Sequence, residues 1–137
     1  MERLVIADTD VIIDFFTGSE PFAEMIAKLI QEDRLALTSI TVFELYAGVS
    51  GSKRLEQIDR LVSLTKVFPV GTEEALTAVG IYNKLRNKGK LIGIQDILIA
   101  GVCLARKHPL LTRNRGHFSR VPGLKLSKTL NPPDALS

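Results

Sequence analysis

Cysteine, histidine and tryptophan are scarce in this chain of 137 residues, which has one cysteine, two histidines and no tryptophan. With so few thiol and imidazole groups, a disulfide framework is excluded and no Cys/His spacing typical of a zinc site is present. The single cysteine, Cys103, lies among apolar neighbours and is predicted to be a small buried side chain.

Long apolar runs are also missing. None approaches the roughly 18 residues that a membrane-spanning helix needs. Residues 4–7 are the only apolar run before Asp8, whereas a secretory signal has a hydrophobic centre of about 7–15 residues. We therefore expect a cytoplasmic protein with no membrane anchor.

The chain does contain enough apolar material for one core. Apolar residues make up 45% of the sequence, and a chain of this length buries about two-thirds of the surface that its unfolded form exposes. Short apolar runs, such as the predicted strand Leu35–Thr38, alternate with segments of helical periodicity. We predict an α/β fold, a three-layer α/β/α sandwich with a mostly parallel central sheet. One domain is expected over residues 1–130, with a short C-terminal tail at 131–137.

Charge is distributed unevenly along the chain. Residues 1–81 hold 7 Lys and Arg against 13 Asp and Glu, whereas residues 82–137 hold 11 against 2. One interpretation is that the basic part holds a polyanionic substrate near a metal bound by the acidic part. The other is that basic side chains such as Lys84, Lys88 and Lys90 form an ordinary solvated patch.

Four polar residues are predicted to meet at one edge of the sheet. Asp8 directly follows the first apolar strand, and Glu44 lies in the helix after the second strand. Asp96 begins a buried helix, and Asn114 follows the inner strand predicted at residues 110–112. Because parallel strands end at the same edge, these side chains are expected to line one cleft.

Each of the three acids also has an ordinary structural use. Asp8 suits a helix N-cap, and Glu44 suits a capping box with Thr41. Asp96 suits the positive end of a helix. Together, however, three carboxylates in one cleft would repel each other unless a cation neutralised them. Hard oxygen ligands favour Mg²⁺ or Mn²⁺, so a divalent-metal site is predicted.

Four segments of the chain, in this order, resemble the successive motifs of PIN-domain ribonucleases, and more narrowly those of the VapC toxins. They are residues 8–14, 39–45, 96–100 and 111–114. The resemblance implies that Asp8, Glu44 and Asp96 bind Mg²⁺ or Mn²⁺ and that RNA phosphodiester bonds are hydrolysed there. Asn114 stands where many PIN domains carry a fourth acid, so a catalytic amide and one tightly bound ion are expected.

Further residues are expected to support this site. Three hydroxyl side chains are predicted to orient the carboxylates or the amide: Thr9, Ser39 and Thr112. Asp10 is expected next to the metal ligands, and Asp14 is expected in solvent. RNA contacts are predicted at Arg113, Arg115 and His117.

The resemblance also implies partners. An RNA substrate, a cognate antitoxin protein and a second copy of the chain in a homodimer are expected. The apolar side chains of residues 25–30 are either a partner contact or part of the core.

Two other functions fit part of the sequence. The strand followed by Asp8 and Asp10 also matches the nucleophile motif of haloacid-dehalogenase-type phosphatases, in which Asp8 would attack phosphorus. That family needs a late acidic pair after a strand, which this chain lacks. The second alternative is a PIN-like module that binds RNA or protein without cleaving it.

Overall fold

The computed structural model describes residues 3–128, and its centre is a four-stranded parallel sheet. In chain order the strands are β1 (Val5–Ala7), β2 (Leu35–Thr38), β3 (Lys66–Phe68) and β4 (Leu110–Leu111). Across the sheet the order is β3-β2-β1-β4, and all neighbouring pairs are parallel. The carboxyl ends of β1, β2 and β4 therefore meet at one edge, with β1 in the middle.

Within the described residues, seven helices connect or follow the strands. They are α1 (Thr9–Thr17), α2 (Phe22–Gln31), α3 (Ser39–Ala47), α4 (Ser52–Ser63), α5 (Thr72–Asn87), α6 (Ile94–Arg106) and α7 (Arg115–Phe118). The bounds of β2 are those predicted from the sequence, and β3 is the edge strand that its following Pro69 favours.

Successive side chains of β1 point to two separate cores. Val5 and Ala7 pack with apolar side chains of α1, α2 and α4. Ile6 lies in the second core, with side chains of α5, α6 and α7. Helices therefore cover both faces of the sheet, and the predicted three-layer α/β fold is confirmed. Residues 129–137, which include the predicted tail, lie outside the described part of the chain.

Close packing of α5 against α6 sets the position of Asp96. A Cβ atom added at Gly101 of α6 would lie only 2.9 Å from the Ala78 Cβ atom and from the Glu74 carbonyl oxygen. The buried Glu74 carboxylate also forms an ion pair with Arg106, at 3.2 Å. Because α5 and α6 are fastened at this crossing, the start of α6 is fixed relative to the sheet edge.

Several other features complete the fold. Beyond β4, Leu126 forms a single parallel bridge with Leu110. Of the two interpretations of residues 25–30, the core is confirmed for Met25, Ile26 and Leu29, which are buried. Cys103 is buried as expected. Within residues 3–128, no helix has the length and apolar character needed to cross a membrane.

Candidate active site

Asp8 is the central acid of the candidate site. It follows β1 and forms the N-cap of α1, where one carboxylate oxygen accepts a hydrogen bond from the Thr9 amide at 2.8 Å. The other oxygen accepts one from the Thr112 hydroxyl, also at 2.8 Å, and the Asp8 amide donates to the Leu111 carbonyl. Only 7% of the residue is exposed. The capping role is therefore real, and it fixes the carboxylate between the ends of β1 and β4.

The pKa of Asp8 is raised from 3.8 to about 7, chiefly by burial and then by the neighbouring Asp10 carboxylate. Asp96 has a smaller effect in the same direction, whereas the hydrogen bonds from Thr112 and Thr9 lower the pKa. Carboxyl groups with a pKa near neutrality are concentrated at functional sites. A cation beside Asp8 would favour its charged form.

Glu44 is held by a hydroxyl group of α1. The Thr9 hydroxyl donates to Glu44 Oε1 at 2.6 Å, and the same hydroxyl lies 3.1 Å from that of Thr41. Helix α3 begins at once after β2 and is capped by Thr38, whose hydroxyl accepts from the Thr41 amide at 3.2 Å. The predicted capping box of Thr41 and Glu44 is therefore wrong, and the Glu44 carboxylate links α3 to α1.

Asp96 lies in the first turn of α6 and is partly buried. Burial raises its pKa, nearby His117 opposes that rise, and the charge of Glu44 adds to it. Asp96 in turn raises the pKa of Asp8. The three acids are thus within electrostatic reach of one another at one edge of the sheet.

These acids do not form a tight protein cage for an ion. Among residues 3–128, no group of three or more His, Cys, Asp and Glu side chains is arranged to hold a metal. Mg²⁺ needs fewer ligands, because it keeps several waters and binds through one or two carboxylates. The buried Asp8 and the neighbouring Asp96 supply hard oxygen donors of that kind. The donor set therefore fits a hydrated divalent ion.

The segment after β4 connects Asp8 to two further polar side chains. The Asn114 amide of the backbone donates to the Thr112 hydroxyl at 3.0 Å, and that hydroxyl donates to Asp8. The side-chain nitrogen of Asn114 lies 2.8 Å from Nδ1 of His117, which is itself 3.8 Å from an Asp96 oxygen. The sequence analysis did not predict α7, which has only four residues and is too short to show helical periodicity.

Arg113 forms polar contacts with both Asp10 and Asp14. The Arg113 backbone amide donates to Asp10 at 3.2 Å, and its guanidinium lies 3.3 Å from an Asp14 oxygen. Burial raises the pKa of Asp10. The expectation that Asp14 lies in solvent is wrong, because it is buried beneath this ion pair. The pairing joins positions almost a hundred residues apart, so no local pattern could have indicated it.

Two other predicted site residues have different contacts. Ser39 accepts a hydrogen bond from the Val70 amide at 3.2 Å and so connects α3 to the segment before α5. Arg115 donates to the Ser127 carbonyl at 2.8 Å. The structure thus brings Asp8, Thr9 and Thr112 together as hydrogen-bonded neighbours, whereas Ser39 has its contact elsewhere.

A family model described as PIN domain matches residues 5–124, which is most of the chain. The chain belongs to the PIN-domain family. Ribonuclease VapC1 from Haemophilus influenzae is 32% identical over 126 residues, covering 86% of this chain and 92% of the relative. The tRNA(fMet)-specific endonuclease VapC from Salmonella typhimurium is 29% identical over 101 residues, covering 71% and 76%.

Among solved structures, DNA-bound VapBC from Salmonella typhimurium contains a chain with a TM-score of 0.80 and 26% identity to this PIN domain. The match covers 92% of this chain and 98% of that one. The PIN-domain, VapC-type resemblance and the nuclease activity it implies are confirmed at the level of the family, whose nucleases are in general metal-dependent. The phosphatase alternative is overturned, because the match spans nearly the whole domain.

Proposed function

We propose that this PIN domain is an endoribonuclease that uses a hydrated Mg²⁺ or Mn²⁺ ion at the site of Asp8, Glu44 and Asp96, bound directly by one or two of these carboxylates. The observation that carries the proposal is Asp8, which is buried at the sheet edge with a pKa raised to about 7. A divalent ion at such a site lowers the pKa of water and neutralises charge that develops on a phosphodiester. A cation beside the buried Asp8 carboxylate would also offset the cost of burying its charge.

The chain's own residues hold the carboxylates in place. The Thr9 amide and the Thr112 hydroxyl each occupy one lone pair of a different Asp8 oxygen. The remaining lone pairs stay available to a ligand in the cleft. The Thr9 hydroxyl holds Glu44 in the same way. These three contacts come from two threonines, and removing either hydroxyl should loosen the site.

We propose that basic side chains near the acids bind the RNA backbone. Arg113 and Arg115 are exposed, but their side chains are already bonded to Asp14 and to the Ser127 carbonyl. In the described part of the chain, Lys88 and Lys90 are exposed and form no ion pair. They lie in the turn between α5 and α6, directly before the helix that carries Asp96. Lysines in such a place would hold phosphates by charge.

Transfer RNA is the first substrate to test. The Salmonella typhimurium relative is named for cleavage of tRNA(fMet). A tRNA also presents single-stranded loops, in which bases are splayed out and the phosphodiester backbone is accessible. We propose a structured RNA of this kind, cleaved in a loop, as the substrate class.

We further propose that the protein is the toxin of a toxin–antitoxin pair. The similar solved structure from Salmonella typhimurium is a DNA-bound VapBC complex. An apolar groove of about 340 Å³, lined by side chains that include Ile13, Phe16 and Val49, opens onto Glu44 and could seat an antitoxin segment. We also propose that two copies of the chain form a homodimer. Because the substrate is cellular RNA, the cytoplasm is the proposed location.

The test compares the wild-type chain with two asparagine variants on a tRNA substrate. Asp8→Asn should abolish cleavage in Mg²⁺ or Mn²⁺, because a neutral amide replaces the central carboxylate. Asp33→Asn is the matched control, since Asp33 is exposed in the α2–β2 turn and its positive φ of 57° suits asparagine. Cleavage that survives in Asp8→Asn would refute the proposal.

The same assay separates a nuclease from a silent binding module. Wild-type protein that binds the RNA but never shortens it, with Mn²⁺ present, would identify a binding module. Co-expression with the product of the neighbouring reading frame tests the partner. An antitoxin should co-purify with the chain and suppress cleavage, and a frame whose product does neither would count against the toxin assignment.

A further inference from the structure

We propose that a basic cavity at the amino ends of β1 and β4 binds a nucleotide unit, whose phosphate is held by Arg3, Lys107 and Lys125. The acids of the candidate active site follow the carboxyl ends of the strands, so this cavity lies at the opposite edge of the sheet. This role goes beyond the proposed function, because neither the acids nor a metal ion takes part in it. The nucleotide unit is either a free mononucleotide or one nucleotide of a bound RNA.

Three segments of the chain meet to form the cavity. Arg3 lies two residues before β1, residues 107–108 lie between α6 and β4, and residues 123–125 form the third segment. The third segment is held beside β4, because the Leu110 amide donates to the Lys125 carbonyl at 2.9 Å. The volume of the cavity is about 210 Å³. Pockets that enclose a drug-sized ligand have about 300–1,000 Å³, so this one suits a small ligand that stays partly in solvent.

Charge of one sign lines the cavity. The lining includes Arg3, Lys107 and Lys125 and contains no acidic residue. Within residues 3–128, none of these three side chains forms an ion pair, whereas Arg106 and Arg113 are each paired with a carboxylate. Positive charges around one cavity repel each other, and a negatively charged phosphate between them would relieve that repulsion. The charges therefore favour an anion as the ligand.

The backbone at Lys107 shows that this lysine is not explained by the turn in which it lies. Lys107 is the C-cap of α6 and has the left-handed conformation, with a φ of 60°. Glycine or asparagine suits that conformation better than lysine does. The Arg3 guanidinium donates to the Lys107 carbonyl at 2.9 Å, which joins the segment before β1 to the end of α6. An anion bound at the cavity would account for the lysine, whereas the turn geometry does not.

The rest of the cavity wall suits the flat apolar surface of a nucleobase. It is formed by uncharged or apolar residues, which include Cys103, Leu104, His108 and Leu124. The His108 ring is stacked on Phe68, with ring centroids 5.3 Å apart, and this contact fixes its orientation. Burial lowers the pKa of His108, and the positive charge of Arg3 lowers it further. The imidazole is therefore neutral at pH 7, and it contributes a surface for stacking rather than a fourth charge.

The experiment titrates the ¹⁵N-labelled chain with adenosine monophosphate (AMP) in a chelator and follows the backbone amide signals by NMR. Without a divalent ion the acids repel a phosphate, so AMP should not bind at the candidate active site. The signals that shift should come from residues of the cavity, such as Leu104, Lys107 and Gly123. Shifts centred on Thr112 and Asn114 instead would place AMP at the acids and contradict the proposal.

Two variants separate the charge of the cavity from its shape. The double variant Lys107→Asn, Lys125→Gln removes two positive charges and should weaken AMP binding roughly 10-fold or more. It should keep the fold, because asparagine suits the φ of 60° at residue 107. Leu104→Trp keeps every charge but fills the cavity, and it should also weaken AMP binding. In the matched control, Lys53→Gln with Lys84→Gln removes two exposed lysines elsewhere and should leave AMP affinity unchanged.

Binding of tRNA to the same double variant shows which source supplies the nucleotide. If one nucleotide of an RNA occupies the cavity, the variant should bind tRNA more weakly and reduce the slope of log affinity against log salt by roughly 1.4. If a free mononucleotide occupies it, AMP should bind the wild-type chain while the variant keeps its affinity for tRNA.

Three results would overturn the assignment of this cavity. One is that neither AMP nor tRNA affinity depends on Lys107 and Lys125. Another is that the control with two other lysines removed loses as much affinity, which would indicate an effect of net charge alone. The third is AMP binding that Leu104→Trp leaves unchanged. None of these results bears on the proposed function, since cleavage that requires Asp8 is measured separately and does not involve the cavity.

Discussion

Replacing Asp8 by asparagine should abolish activity and at the same time stabilise the metal-free fold. Burial and the nearby acids raise the pKa of Asp8 from 3.8 to about 7. The folded chain therefore binds more protons than the unfolded chain between about pH 4 and pH 7, so its stability falls as the pH rises through that range. Above pH 7 the buried charge costs about 4 kcal/mol of folding free energy. Asparagine removes this charge and keeps the shape.

The loss of a hydrogen bond to residue 8 offsets part of this gain in folding free energy. Asp8 accepts from both the Thr9 amide and the Thr112 hydroxyl, whereas the asparagine side chain has one carbonyl oxygen. The loss of one such bond costs about 1 kcal/mol. Asp8→Asn should therefore be about 3 kcal/mol more stable than wild type at pH 8 in a chelator, which raises Tm by roughly 10 °C for a domain of this size.

Thermal unfolding at pH 8 and pH 4 in a chelator tests this reasoning. The advantage of Asp8→Asn should disappear at pH 4, where Asp8 is protonated in the folded chain, while the exposed control Asp33→Asn should match wild type at both values. Mn²⁺ at 100 times its Kd should then stabilise wild type by about 2.7 kcal/mol and leave Asp8→Asn unchanged. Equal stability of the two chains at pH 8, or a gain that persists at pH 4, would refute the argument.

Three further changes give independent tests. Thr9→Val removes the hydroxyl that holds Glu44 at 2.6 Å, so RNA cleavage should fall roughly 10- to 100-fold with Tm little changed; full activity would show that this bond is not needed. The double variant Lys88→Gln, Lys90→Gln should weaken RNA binding and reduce the slope of log affinity against log salt by roughly 1.4, without altering Mn²⁺ binding; an unchanged slope would leave these lysines as solvated charges. Gly101→Val should destabilise the fold by about 1–3 kcal/mol in urea unfolding, because the added atoms meet α5 at 2.9 Å; a neutral result would mean that the helices can separate there.

The sequence predicted the sheet and the placing of the acids because both depend on local patterns. Apolar runs bounded by polar residues indicated the strands, and β2 has the predicted bounds. The rule that parallel strands end at one edge then brought Asp8 near Asp96, and their electrostatic interaction in the structure agrees with that expectation. Which atoms bind an ion stays a prediction.

The contacts that could not be predicted join residues distant in sequence. Asp14 was expected in solvent, and nothing near it in the sequence indicated Arg113 as a partner. The predicted capping-box contact of Glu44 was wrong for a different reason. A threonine three residues before a glutamate is the pattern of a capping box, but the N-cap of α3 is Thr38, three residues before Thr41. The last residue of a strand can also be the N-cap of the next helix, and no spacing pattern in the sequence marks such a residue.

The uneven charge of the chain takes on a specific meaning once the strand order is known. Because β4 lies beside β1, the basic C-terminal part of the chain is placed against the acids that follow β1 and β2. The turn between α5 and α6, which carries Lys88 and Lys90, is fastened to the segment after α7 by the Arg120 side chain, which donates to the Leu91 carbonyl at 3.4 Å. A polyanion bound by this turn would lie next to acids that repel it unless a cation is present. RNA binding and metal binding should therefore strengthen each other, since each supplies charge that the other needs.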